Sequence, residues 1–170
     1  DLSRVALGGP GKQVKVYATT DGTLLHQMKK HTDWVLALEY SPDAVLLATG
    51  DRNGGLFVWE AFGGQEFYTL NGHRAAITAV SWRADSDVLL SASEDGALKL
   101  WEMNGGKEIK SWTAHNGGVL WAAFTHDGRI VSCGRDNLVT LWDGNGAKQR
   151  SVQITNDLPV RAIFSHDGAR

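Results

Sequence analysis

Apolar and polar residues alternate in short runs along almost the whole chain, a two-residue period that predicts strands rather than helices. The clearest stretch reads ITAVSW, VLLSAS, ALKLWE and KEIKSW, separated by RADSD, EDG and MNGG. Asp, Asn and Gly in such separators favour tight turns. Elsewhere SPDA, DRNGG, HDG and RDN play the same part. The prediction is a four-stranded antiparallel meander used repeatedly. In each third strand the apolar residues alternate while a Trp points to the opposite face, so both faces of the sheet need cover that one meander cannot supply.

The period is long and regular. Trp59, Trp101 and Trp142 close FVWE, LKLWE and TLWD at separations of 42 (59 to 101) and 41 (101 to 142), and His31, His73 and His115 recur every 42. Four-stranded units of this length that cover each other around an axis describe a propeller. The chain, read as one segment over 1–170, divides into three strands of an incomplete unit (1–29), complete units at 30–71, 72–113 and 114–154, and a single strand within 155–170, read from PVRAIF. That makes sixteen strands, or four blades' worth, with one blade split between the ends. Fourth strands such as KEIKS and AKQRS are charged, as suits an outer edge that must not pair with strangers.

Composition narrows the class. With 42% hydrophobic residues the 170-residue chain can bury a core, and a net charge of −2 lacks the basic footprint of a nucleic-acid or membrane-surface binder. Cys133 is the one cysteine, so packing rather than disulfides must hold the fold. No apolar run approaches a membrane span, and DLSRVALGG lacks the regions of a signal peptide. A cytoplasmic location is the expectation. The chain opens on Asp1 rather than Met, compatible with a processed start or an excerpt of a longer protein.

Gly72 and His73, the run LLSASEDGALKLWE from Leu89 to Glu102, and the pair Trp142 and Asp143 resemble the WD-repeat family. The resemblance spans nearly the whole chain, and its specificity lies in three registered copies. It implies an all-β propeller of four-stranded antiparallel blades, no catalysis, no cofactor or metal, and a scaffold that binds proteins or peptides. It further implies a buried tetrad in each complete blade: His31, Thr49, Asn53 and Trp59; His73, Ser91, Asp95 and Trp101; His115, Ser132, Asp136 and Trp142. Each buried polar group then finds a partner, the carboxylate accepting from imidazole and the hydroxyl from indole. Asn53 carries no charge, so the first complete blade is expected to have the weaker clamp, with Asn53→Asp a gain and Asp95→Asn a loss. The opening 29 residues have Tyr17, Leu7 and Gly11 at the Trp, Ser and Asp positions, and Thr155 stands where the last blade would have His.

His, Ser and Asp are also the residue types of a nucleophilic triad, yet an enzyme needs one exposed nucleophile while a clamp is needed in every blade. Repetition favours structure. GGPGK, Gly8 to Lys12, departs from a phosphate loop because Gln13 replaces the hydroxyl residue. His126 and His166, in THDG and SHDG, repeat the turn position of Pro42, and Cys133 reads as a small buried hydrophobe.

The resemblance implies partner contacts on the loop face, from the residue before the tetrad acid (Arg52, Glu94, Arg135) and from those three and five after the His (Trp34, Ala76, Gly118; Leu36, Thr78, Leu120), with Leu158 and Val160 in the split blade. Trp34 is the foremost anchor, because large aromatics dominate interfaces. Arg52 and Arg135 beside Leu36 and Leu120 suit an acidic peptide. Two other readings are self-association of two chains into an eight-bladed ring and a small-ligand or enzyme site in the central channel.

Overall fold

The structure is a computed structural model that describes residues 2–162. Its strands are β1 (Arg4–Leu7), β2 (Val14–Ala18) and β3 (Leu24–Met28); β4 (Val35–Tyr40), β5 (Leu46–Asp51), β6 (Leu56–Glu60) and β7 (Glu66–Thr69); β8 (Ile77–Trp82), β9 (Val88–Ser93), β10 (Ala97–Glu102) and β11 (Lys107–Thr113); β12 (Val119–Phe124), β13 (Ile130–Gly134), β14 (Leu138–Trp142) and β15 (Lys148–Gln153). No helix occurs among the described residues. The strands form one three-stranded and three four-stranded antiparallel sheets, each a meander in chain order.

The turns follow from residue chemistry. Between second and third strands, Gly54 and Gly96 both adopt φ of +87°, and a Cβ there would run into backbone carbonyls of the approaching loop. Asn137, at the corresponding place in the last sheet, takes φ of 58°, a conformation that Asn tolerates better than most residues. Each complete sheet has a register shift early in its first strand and another between its third and fourth strands beside the Trp. Such bulges increase the local twist.

Three apolar clusters join successive sheets. Val14, Val16, Val35 and Trp59 pack the first against the second; Leu56, Val58, Ile77 and Trp101 the second against the third; Leu98, Leu100, Ala122 and Trp142 the third against the fourth. The Trp of each sheet thus faces the preceding sheet, the cover that the alternating pattern demanded. No apolar cluster joins the first sheet to the fourth among the described residues. Of the segment PVRAIF, Pro159 to Ala162 has no strand structure. Its remainder, and His166 with it, lies outside the described residues.

Candidate functional site

Each complete sheet holds a buried polar chain. In the third, the Trp101 indole N–H donates to Ser91 Oγ (2.8 Å), Ser91 lies 2.8 Å from His73 Nε2, and His73 Nδ1 lies 3.0 Å from Asp95 Oδ2. In the fourth, Trp142 donates to Ser132 (2.8 Å), which lies 2.7 Å from His115 Nε2, and Nδ1 lies 2.8 Å from Asp136. A carboxylate only accepts, so Nδ1 carries the proton and Nε2 accepts from the hydroxyl. Burial pushes the His73 imidazole below its ordinary value although Asp95 opposes this, so the ring is held neutral. Burial raises the Asp95 and Asp136 carboxyls, but hydrogen bonds from backbone N–H groups and from His73 or His115 outweigh it and leave both below the ordinary Asp value.

The second sheet builds the same chain with a different acid. Trp59 donates to Thr49 Oγ1 (2.7 Å), which lies 2.8 Å from His31 Nε2, but His31 Nδ1 meets Asp51 Oδ2 at 2.8 Å. Asn53 is therefore not the clamp's acceptor. Its side chain donates outward to Thr32 Oγ1 (3.2 Å), while its backbone N–H donates to Asp51 Oδ1 (2.9 Å). Asp51 ends β5, and its side chain reaches across the turn to the place that Asp95 and Asp136 reach from within it. It also accepts from the N–H groups of Thr32 (3.3 Å) and Gly55 (2.8 Å). The premise of a weaker clamp, that no carboxylate meets the ring here, is overturned: Asp51 does, and its side chain is 1% exposed against 16% for Asp95. Burial holds His31 neutral as well, with Asp51 opposing. The clue in the sequence was ATGD, where an acid occupies the position that Ser93 holds in SASED.

Triad-like distances do not make these hydroxyls nucleophiles. Thr49, Ser91 and Ser132 are wholly buried, and each is held by an indole N–H. Cys133 is buried too, which pushes its thiol up to about 11. His126 is exposed in a turn. Among the described residues no group of three His, Cys, Asp or Glu side chains could hold a metal ion.

On the loop face the structure brings Trp34 and Arg52 together. The Arg52 N–H donates to the Trp34 carbonyl (2.9 Å), and its guanidinium stands 5.6 Å from the indole centroid. Trp34 is 44% exposed and Leu36 beside it 48%. No carboxylate pairs with Arg52 among the described residues. Arg135, by contrast, is paired with Glu94 of the neighbouring sheet at 2.7 Å. Thr78 donates to the Val119 carbonyl (3.0 Å), Leu120 is half-buried, Ala76 is buried, and Gly118 packs against the backbone of Glu94. The fourth sheet's part of the expected surface is thus neutral and partly used in sheet-to-sheet contacts. Leu158 and Val160 are exposed.

Sequence reasoning missed Glu39. It lies half-buried on β4 facing the third sheet, its backbone carbonyl accepts from the Trp82 indole (3.0 Å), and burial pushes its carboxyl up to about 7.

A family model described as "WD domain, G-beta repeat" matches residues 22–60, 64–102 and 106–143. The chain is 34% identical over 62 residues to the 66 kDa stress protein of Physarum polycephalum, covering 35% of this chain and 10% of that protein. It is 32% identical over 65 residues to apoptotic protease-activating factor 1 of Rattus norvegicus, covering 38% and 5%. It is 37% identical over 49 residues to the intraflagellar transport protein 122 homolog of Mus musculus, covering 29% and 4%. The chain spans a tenth or less of these curated relatives. A solved structure of U3-55K superposes with a TM-score of 0.80 at 25% identity, over 89% of this chain and 50% of that one.

Proposed function

Because the chain belongs to the WD-repeat family, we propose that it is a non-catalytic scaffold that holds a protein or peptide on its loop face. The observation that carries this reading is the exposed Trp34 stacked by a charge-unpaired Arg52 and flanked by exposed Leu36. A large aromatic with a neighbouring Arg is the composition of interface anchors, and the unneutralised guanidinium favours an acidic segment. The three clamp hydroxyls, buried and committed to indole donors, offer no nucleophile to a substrate. A cytoplasmic location is part of the same proposal; separately, no helix among the described residues is long and apolar enough to cross a membrane. Affinity capture with the wild type and with Trp34→Ala tests the face. Bound proteins are expected to be lost from the variant, and capture indifferent to the change would sink the reading.

A second reading, self-association into a closed ring, is favoured by one contrast. Val139 and Leu141 on β14 correspond to Leu98 and Leu100 on β10, which the next sheet buries almost completely, yet Val139 and Leu141 are only half-buried. At the other end Val5 and Leu7 of β1 are exposed. The last sheet's open face thus matches the first sheet's open face of another copy, a head-to-tail contact. Native mass decides. Dimer is expected on this reading, and a monomer of 18.5 kDa that melts cooperatively would exclude it.

A further inference from the structure

A broad cavity lies at the end of the sheets opposite the loop face. It is a groove of about 890 Å³ between the second and third sheets, formed by their first-to-second and third-to-fourth strand turns. Part of its lining is apolar. Val45 is 55% and Phe67 48% exposed, and the buried Leu46, Val88 and Met103 line the same groove. Exposed aromatic and aliphatic carbon in one concave strip is the profile of a surface that gains by being covered.

Its rim carries five carboxylates and one cation. Two of the acids and the cation are already committed. Asp43 accepts from Ser41 Oγ and the Val45 N–H, Glu66 pairs with Lys30, and Arg83 pairs with Asp85. Glu60, Asp87 and Glu102 remain, and among the described residues no side chain or backbone donor engages their carboxylates. Three uncompensated negative charges around an apolar strip repel acidic segments and attract basic ones. The adjoining groove between the first and second sheets is lined instead by Arg4 and Phe62 and carries no carboxylate among the described residues, so the two grooves differ in charge.

We infer that the groove between the second and third sheets is a docking site for a cationic peptide segment. Lys or Arg side chains of the segment pair with Glu60, Asp87 and Glu102, and an apolar side chain between them covers Val45 and Phe67. The site is separate from the Trp34 face and has the opposite charge preference, so one scaffold would hold two chemically distinct partners at its two ends.

Selection of a random peptide-display library on the purified chain tests this. Selected peptides are expected to be enriched in Lys and Arg around an apolar residue. Their affinity should fall tenfold or more in Glu60→Lys/Glu102→Lys and by a smaller factor in Glu60→Gln/Glu102→Gln. It should also weaken as salt is raised from about 50 to about 300 mM, because exposed charge pairs are screened. Trp34→Ala should leave it unchanged. A thermal melt of each variant establishes that the fold is retained. Selection without basic enrichment, or binders whose affinity moves less than about twofold on charge reversal, would overturn the inference. Binders lost only in Trp34→Ala would overturn it while supporting the loop face.

Discussion

The second and third sheets differ in how they accomplish the same thing. In both, indole, hydroxyl, imidazole and carboxylate form one chain at hydrogen-bond distances. In the third the acid is Asp95 inside the turn, and Ser93 before it accepts the Asp95 N–H (3.1 Å). In the second the acid has moved back two residues to Asp51, which does the work of both: one oxygen meets His31 and the other accepts the Asn53 N–H that a Ser would have taken. The fourth sheet has Gly134 at this position, where an added Cβ would strike the His115 ring. What is conserved between sheets is the point in space at which a carboxylate meets the ring, and the turn can deliver one there from two places along the chain.

The sharpest way to break this comparison is Asp51→Ala. It strands the His31 N–H in a buried site and removes the acceptor of three part-buried backbone donors, and is expected to cost about 3 kcal/mol, roughly 10 °C in Tm by thermal melt. Asp51→Ser/Asn53→Asp copies the third sheet's arrangement into the second. More than half of the loss should be recovered relative to Asp51→Ser alone; no recovery would show that the two turns are not interchangeable. Asp95→Asn in the third sheet keeps an oxygen acceptor at a less buried site, and a loss of about 1 to 2 kcal/mol is expected in urea unfolding. A loss exceeding that of Asp51→Ala would reverse the ranking of the two clamps.

A pH comparison separates the sheets further, because Glu39 of the second corresponds to Ser81 of the third. Glu39 is protonated in the folded protein up to about 7 but ionises in the unfolded chain above its ordinary 4.5, so stability is lost as pH rises between those values. The neutral His31 and His73 act in the opposite sense, costing stability as pH falls below 6.5, where the unfolded chain gains protons. Glu39→Gln should therefore melt higher than the wild type at pH 8 and converge with it near pH 4. Equal melting temperatures at pH 8 would contradict the burial argument. The smallest effect is expected from Asn53→Asp alone, a change within about 0.5 kcal/mol, since Asp51 already fills the clamp and position 53 is exposed. A clear gain would restore Asn53 as the deficient member.

Strand periodicity, turn residues and the recurrence of His and Trp were enough to divide the chain into its sheets. These are local properties: alternation reports which faces are covered, and Gly or Asn in a turn reports a backbone conformation other residues resist. Positions such as Ser91 and Trp101 are specified because their strands pair in the register the alternation dictates. The clamp's fourth member was misplaced at Asn53 because counting along the chain treats the turn as a ruler, whereas the Asp51 side chain adds reach in a direction that only the folded turn defines. The groove was invisible for a stronger reason. Glu60 and Glu102 sit at the ends of corresponding strands in separate repeats, and only the packing of one sheet on the next sets them with Val45 and Phe67 around a single concave strip. The sequence by itself determined the repeat, the sheets and the clamp's hydroxyl, imidazole and indole, since these rest on short-range pattern. Tertiary structure alone decided which acid completes each clamp, which cations remain unpaired and where negative charge collects, because each depends on distances between residues that lie apart along the chain.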